Sequence, residues 1–170
     1  MTMGTSWSYK PDDKLKGAGT LIRNLCRIVA RNGNYLLGIG VGPDGELDPT
    51  VYDRFAELGA WLKLNGEAIY DTRPVAPYEF GDCVFTGTRD GTVYVIVLAK
   101  DDRTALPETV AIPAGLAGKA GEVTLLGYGP IHAEKTTDGQ VAVAIPSAAR
   151  ASPPCTIAWT IKLAPKGALR

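Results

Sequence analysis

The period of the hydrophobic pattern changes once along this chain, and that change limits the folds open to it. Up to about residue 70, apolar side chains recur at the spacing of amphipathic helices, whereas from Tyr78 onward they alternate as in β-strands. The segment Asp71–Pro77 separates the two patterns. We therefore predict two domains, an α/β unit over residues 1–72 and an all-β unit over residues 73–170.

The α/β unit is organised around Asn32–Gly45, which is typical of a turn, a short strand and a glycine-rich loop. An apolar run of this length, bounded by turn residues, predicts a strand covered on both faces, as in parallel sheets. A helix is expected on each side, the first capped by Asp12 or Asp13 and the second by Asp48 before a proline. The buried stripe of the second helix is predicted to be Val51, Tyr52, Phe55, Leu58 and Leu62.

The all-β unit contains seven predicted strands. They are Cys83–Thr88, Thr92–Lys100, Glu108–Ile112, Glu122–Tyr128, Ile131–Lys135, Gln140–Ile145 and Thr156–Leu163. Arg89-Asp90-Gly91 and Asp138-Gly139 are the two hairpin-turn signals. Short strands with regularly spaced turns favour an antiparallel β-sandwich.

The α/β unit cannot close a sheet alone, because parallel sheets need both faces covered. One or two parallel strands with two helices would leave unpaired edges and apolar surface exposed. We expect this unit to dock against its own sandwich, another copy of the chain or an N-terminal partner.

Composition excludes several classes of function. Eighteen basic residues balance eighteen acidic ones, which argues against a nucleic-acid or membrane-surface partner. The three cysteines are widely spaced without a CxxC pair, and His132 is the only histidine, so no metal site or cofactor is expected. No apolar run approaches the roughly 20 residues of a membrane span, and no signal peptide is recognisable, so we expect a cytoplasmic location.

Several segments together resemble the C-terminal part of the α-L-fucosidases of glycoside hydrolase family 29. The matching segments are Ser6–Tyr9, Asn32–Leu37 with Ile39-Gly40, Asp44-Gly45, Gly59–Tyr70 and Ala158–Leu163. The resemblance covers nearly the whole chain, and the Gly-Asn-Tyr-Leu-Leu and Asn-Gly-Glu-Ala-Ile-Tyr segments are specific in combination. It implies an incomplete (β/α)8-type barrel fragment followed by an antiparallel β-sandwich. Residues 34–40 would be the last barrel strand.

The resemblance also implies which parts of the sugar site this chain carries. Trp7 matches the family position where an aromatic ring packs against the fucose. The family's aspartate nucleophile and its carboxylic acid/base lie upstream of the matching segments. The chain departs from the family pattern at Gly38, where asparagine is usual, and at Val41, where proline is usual.

If the chain acts without an upstream segment, its catalytic acids must be local. Asp44 and Glu46 follow the predicted central strand, on the side where barrel sites form, and Asp12 and Asp13 follow the aromatic loop. Two carboxylates, one with a raised pKa, are the minimum for a glycosidase. The alternative is that these acids are turn formers, helix caps or solvated surface groups.

Two functions from different classes remain open at this point, beside a third possibility, an inactive fragment kept soluble by oligomerisation. The first is an α-L-fucosidase that releases terminal α-L-fucose with retention, acting on a fucosylated glycan or fucoside once its barrel is completed. Completion would come from a homo-oligomer or from a complex with an N-terminal barrel half. The second is a non-catalytic carbohydrate-binding or assembly module built from the same C-terminal half.

Overall fold

In the computed structural model, the described residues are 1–101, 104–117, 120–137 and 140–165. The helices within these ranges are α1 (Ala18–Val29), α2 (Pro49–Asn65), α3 (Ala114–Ala117) and α4 (Ser147–Ala151), and Gly66–Ala68 forms a 3₁₀ turn. The strands there are β1 (Arg73–Phe80), β2 (Cys83–Gly87), β3 (Val93–Leu98), β4 (Thr109–Ile112), β5 (Ala120–Leu125), β6 (Gly129–Pro130), β7 (His132–Lys135), β8 (Val141–Ala144) and β9 (Ala158–Pro165).

The strands form two antiparallel sheets packed face to face. The larger sheet has the order β1-β2-β3-β9-β5-β6, and the smaller has the order β4-β8-β7. Phe85, Trp159 and Ile161 of the large sheet share one core with Ile112 and Val143 of the small sheet. The predicted antiparallel sandwich is therefore confirmed.

The other face of the large sheet is covered by α1 and α2, so the molecule has three layers. Along β3, Val95 and Val97 point into the sandwich core, whereas Tyr94 and Ile96 pack under the helices. Strand β3 is buried on both faces, as its unbroken apolar run predicts. The indole of Trp61 on α2 donates a hydrogen bond of 2.9 Å to the carbonyl of Ala158 on β9.

All seven predicted strands are present, with ends that differ by a few residues. Strand β1 was missed because its two prolines, Pro74 and Pro77, are typical of a linker. Proline is tolerated at the edge of a sheet, and β1 is an edge strand with an irregular register between Pro74 and Glu79. The predicted turn at Asp138-Gly139 lies outside the described residues.

The predicted start of the first helix is wrong. Helix α1 begins at Ala18, and its N-cap residue Gly17 makes no side-chain cap hydrogen bond. Asp12 and Asp13 lie in the preceding loop, where the Asp13 carboxylate accepts the backbone N–H of Thr5 at 2.9 Å. The aspartate that the sequence pattern indicates as a helix cap binds the backbone of an earlier loop instead.

The predicted cap of the second helix is correct, but its predicted stripe is only partly so. The Asp48 carboxylate accepts the N–H of Thr50 at 2.8 Å, with Pro49 at the first helical position. Tyr52 and Phe55 are 54% and 42% exposed, whereas Val51, Leu58 and Trp61 are buried. The buried face of α2 is thus rotated away from the two aromatic side chains.

Replacing Asp48 with alanine is expected to lower the free energy of unfolding by about 1 kcal/mol, because the N–H of Thr50 loses its acceptor. Asp48→Asn keeps an oxygen acceptor and should lower the free energy of unfolding by only about a few tenths of a kcal/mol. Urea unfolding curves of the two variants provide the measurement. Equal losses in both would show that the cap hydrogen bond contributes nothing.

The stretch 34–40 differs most from its prediction. It forms one parallel bridge, between Gly38 and Thr2, and this pairing does not extend into a strand. It is not covered on both faces either, since Leu36 is 80% exposed and Leu37 and Ile39 are only half-buried. A parallel strand needs neighbours in register and helices on both faces, and residues 1–3 supply just one short neighbour.

Stability should fall as the pH rises above about 9. Burial raises the pKa of the Cys83 thiol from 9.0 to about 12, and burial likewise raises the pKa of Cys26. A raised pKa means that the folded state keeps protons that the unfolded chain releases, so this stability is present below pH 9 and lost toward pH 12. Unfolding midpoints in urea between pH 7 and 11 measure the slope, and Cys83→Ala should make it shallower. An unchanged slope in that variant would contradict the assignment.

Candidate functional site

Two loops leave the same edge of the short parallel pair. The N–H of Met3 donates to the carbonyl of Gly38, and the N–H of Gly38 donates to the carbonyl of Met1, each at 2.8 Å. Because the two segments run in the same direction, the loops that follow them, residues 4–9 and 41–46, emerge side by side. In α/β folds such carboxyl-terminal edges carry the binding and catalytic groups.

Gly40 brings these two loops into contact. A Cβ atom at this position would lie 2.7 Å from the Cα atom of Tyr9 and 2.9 Å from its nitrogen. Those are backbone atoms, so a larger residue could be accommodated only by moving the loop that carries Trp7. The glycine at position 40 therefore sets the distance between the two loops.

Trp7 stands at the tip of the first loop with its ring in solvent. It is 90% exposed, whereas the other two tryptophans, Trp61 and Trp159, are 4% and 1% exposed. An exposed indole face suits the apolar C–H face of a sugar ring. This exposure is compatible with the role that the resemblance implies for Trp7, which stays a prediction.

The backbone of the Trp7 loop is held by two charged side chains. The carboxylate of Asp13 accepts hydrogen bonds from the N–H and hydroxyl of Thr5 and from the N–H of Ser6. The ammonium of Lys16 donates to the carbonyls of Thr2 and Gly4 at 2.9 and 2.6 Å. The hydroxyl of Thr5 is the largest cause that holds the pKa of Asp13 below its ordinary value.

Asp44 and Glu46 lie together in one tight turn of the second loop. The Asp44 carboxylate accepts the N–H of Glu46 at 3.1 Å, and the N–H of Gly42 donates to the carbonyl of Glu46 at 2.8 Å. Both side chains are exposed. The turn role foreseen for Asp44 is present, and catalysis by either acid stays a prediction.

The cavity beneath the loops is too small for a sugar. It measures about 40 Å³ and is lined by Ser6, Tyr9, Asp13, Gly40 and Val51, among others. A space of that size accepts a few water molecules. A monosaccharide at this edge would therefore lie outside this cavity.

A larger cavity of about 830 Å³ lies elsewhere, between α2 and the segment before β9. Trp61, Leu64, Pro154, Cys155 and Ile157 line it, and it shares no lining residue with the smaller cavity. Two of its charged lining side chains, Arg54 and Glu57, pair with each other at 2.7 Å. Sequence patterns did not indicate this groove, because its walls come from segments about a hundred residues apart.

The described residues contain no group of three or more metal-ligating side chains. His132 lies on β7 of the small sheet, exposed, with its Nε2 3.0 Å from the Glu134 carboxylate. In the part of the chain that the structure describes, no helix has the length and hydrophobicity to cross a bilayer.

Solved structures of larger glycosidases contain this fold. Alpha-L-fucosidase isoenzyme 1 from Paenibacillus thiaminolyticus matches with a TM-score of 0.81 and 25% identity, over 98% of this chain and 39% of that one. The alpha-fucosidase of Thermotoga maritima in complex with fucose matches with a TM-score of 0.77 and 21% identity, over 96% and 38% of the two chains. The chain thus has the architecture of the C-terminal part of a glycosidase.

Sequence comparisons identify the family. The alpha-L-fucosidase model matches residues 1–67, and the model of the alpha-L-fucosidase C-terminal domain matches residues 81–164. Tissue alpha-L-fucosidase of Rattus norvegicus is 31% identical over 166 residues, and alpha-L-fucosidase of Dictyostelium discoideum is 33% identical over 148. The chain belongs to the α-L-fucosidase family and corresponds to its C-terminal part. It spans about a third of the length of these relatives.

Proposed function

We propose that this chain forms the C-terminal part of an α-L-fucosidase site that hydrolyses terminal α-L-fucosyl bonds of glycans or fucosides with retention. In this proposal residues 1–72 are the last units of a (β/α)8-type barrel. A further barrel segment completes the sheet, either within the same polypeptide, from a partner chain or through a homo-oligomer. The match of two consecutive fucosidase models supports this reading.

The open parallel pair is the observation that carries the proposal. The exposed Leu36 and the half-buried Leu37 and Ile39 belong to a segment whose apolar pattern is that of a covered strand. The unpaired backbone groups of such an edge favour the addition of another strand. A barrel segment added there would cover the apolar side chains and build walls around the small cavity.

Trp7 is the proposed sugar platform of the completed site. Its indole would pack on the apolar face of the fucose, while the catalytic carboxylates come from the added segment. Retaining hydrolysis requires those two carboxyl groups to lie about 5–5.5 Å apart across the scissile bond. Asp44 and Glu46 are the proposed acids only for an assembly built from copies of this chain alone.

Release of 4-nitrophenol from its α-L-fucoside tests the function. The chain is assayed alone, and again after co-expression with the N-terminal part of the Rattus norvegicus relative. Turnover in the mixture but not in either part is expected for a site completed by a barrel segment. Absence of turnover in a stable complex of the two parts would overturn the proposal.

Four variants separate the sources of activity. Trp7→Ala should raise KM in the completed enzyme, with Trp7→Phe as the control that keeps an aromatic ring. If the chain alone is active, Asp44→Asn and Glu46→Gln should each abolish that activity. Full activity in both would exclude them as the catalytic acids. Fucose binding without turnover under every condition would instead support the non-catalytic module.

A further inference from the structure

The loop that carries Trp7 is held by several hydrogen bonds, although its tip lies in solvent. Trp7 itself is 90% exposed, so its own side chain contributes little packing. The backbone on its N-terminal side is nevertheless hydrogen-bonded at residues 2, 4, 5 and 6 to Asp13 and Lys16. These two charged side chains therefore hold the backbone that leads into the tip.

Two glycines are needed for this arrangement. Gly4 is buried, and a Cβ atom there would overlap the Oδ2 atom of Asp13. On the other side, Gly40 lies against the backbone of Tyr9. The loop is thus enclosed between the Asp13 carboxylate, which leaves room only for a glycine at position 4, and Gly40, which directly precedes the neighbouring loop.

We infer that Asp13 is a positioning residue, which holds the 4–9 loop so that Trp7 is presented in one orientation to the sugar. The inference deepens the proposed function and rests on it for the identity of the ligand, a fucoside. An aromatic platform that is ordered before binding spares the ligand the entropic cost of ordering it. Asp13 touches neither sugar nor reacting atoms in this scheme; it acts through the loop.

The first test uses the chain itself and needs no activity. Time-resolved fluorescence anisotropy reports the local motion of Trp7, after subtraction of the Trp7→Phe signal that contains Trp61 and Trp159. Asp13→Asn should increase the amplitude of fast motion, while the unfolding midpoint in urea stays near that of the parent. Asp12→Asn removes the same charge one residue away and should leave the anisotropy decay unchanged.

A second pair of variants keeps the test valid if Asp13→Asn folds poorly. Thr5→Val removes the hydroxyl that donates to Asp13, whereas Thr5→Ser keeps it. The valine variant should loosen Trp7, and the serine variant should restore the parent decay. A decay unchanged in both Asp13→Asn and Thr5→Val overturns the inference.

The functional consequence is read in the completed enzyme. Asp13→Asn should raise KM for the 4-nitrophenyl fucoside about two- to fivefold, the range expected for weakening an exposed charged contact, with kcat little changed. Loss of kcat with unchanged KM would overturn the positioning role. If the parent enzyme shows no turnover, the proposed function fails, but the anisotropy result still decides whether Asp13 holds Trp7.

Discussion

Replacing Trp159 with alanine is expected to lower the free energy of unfolding by about 3–5 kcal/mol, the range for deleting a buried large aromatic side chain. Trp159 is 1% exposed in the sandwich core, and its indole donates to the carbonyl of Cys155 at 2.6 Å. It lies on β9, which pairs with both β3 and β5. A loss of this size is a large part of the 5–15 kcal/mol typical of a folded domain.

Urea unfolding followed by circular dichroism measures this effect. Trp7→Ala is the matched control, because the same side chain is removed from a position that is 90% exposed. The free energy of unfolding of Trp7→Ala should stay within about 0.5 kcal/mol of the parent value. Similar losses in the two variants would show that burial does not determine what a tryptophan contributes here.

Replacing Trp61 with alanine is expected to release the helical layer from the sheet. Trp61 lies on α2 and packs in the core shared with Tyr94 and Ile96, and its indole donates to the carbonyl of Ala158. The cost is again about 3–5 kcal/mol, but it falls on the contact between helices and sheet. The two loops of the candidate site precede α1 and α2 in the chain. The turnover proposed for the chain co-expressed with a barrel segment should therefore be lost as well.

The signature of this variant is an unfolding curve with two steps. The helical signal at 222 nm should decrease at lower urea than the fluorescence of Trp159, which reports the sandwich core. Trp61→Phe keeps most of the packing and loses one hydrogen bond, so it should cost about 1 kcal/mol beyond the lost volume. A single coincident transition in Trp61→Ala would mean that the layers unfold as one cooperative unit.

The β part of the fold could be predicted almost completely from the sequence. Alternation and turn residues are local signals, and the seven strands they indicated are all present. Strand β1 escaped because proline is a local breaker whose tolerance depends on a non-local fact, namely that β1 lies at the edge of its sheet. Strand β6 was likewise not indicated by local residue patterns, because it is only two residues long.

The candidate site was predicted less completely. Trp7, Asp44 and Glu46 were singled out from the sequence, and the structure places them on two loops at the same edge of the parallel pair. The part played by Asp13 was missed, because an aspartate before a helical pattern is first interpreted as a cap. Its role as an acceptor depends on a contact between residues 5 and 13 that no local pattern indicates.

The sequence by itself determined the family, the division into helical and β patterns and the aromatic loop around Trp7, since each is recognised from local residue patterns. The tertiary structure alone decided which face of α2 is buried, what Asp13 binds and how far Gly40 lets two loops approach. It also decided that Leu36 lies in solvent, although the stretch 34–40 has the apolar pattern of a covered strand. Each of these depends on partners distant in sequence, because burial and pairing are properties of the surrounding layers and not of the segment itself.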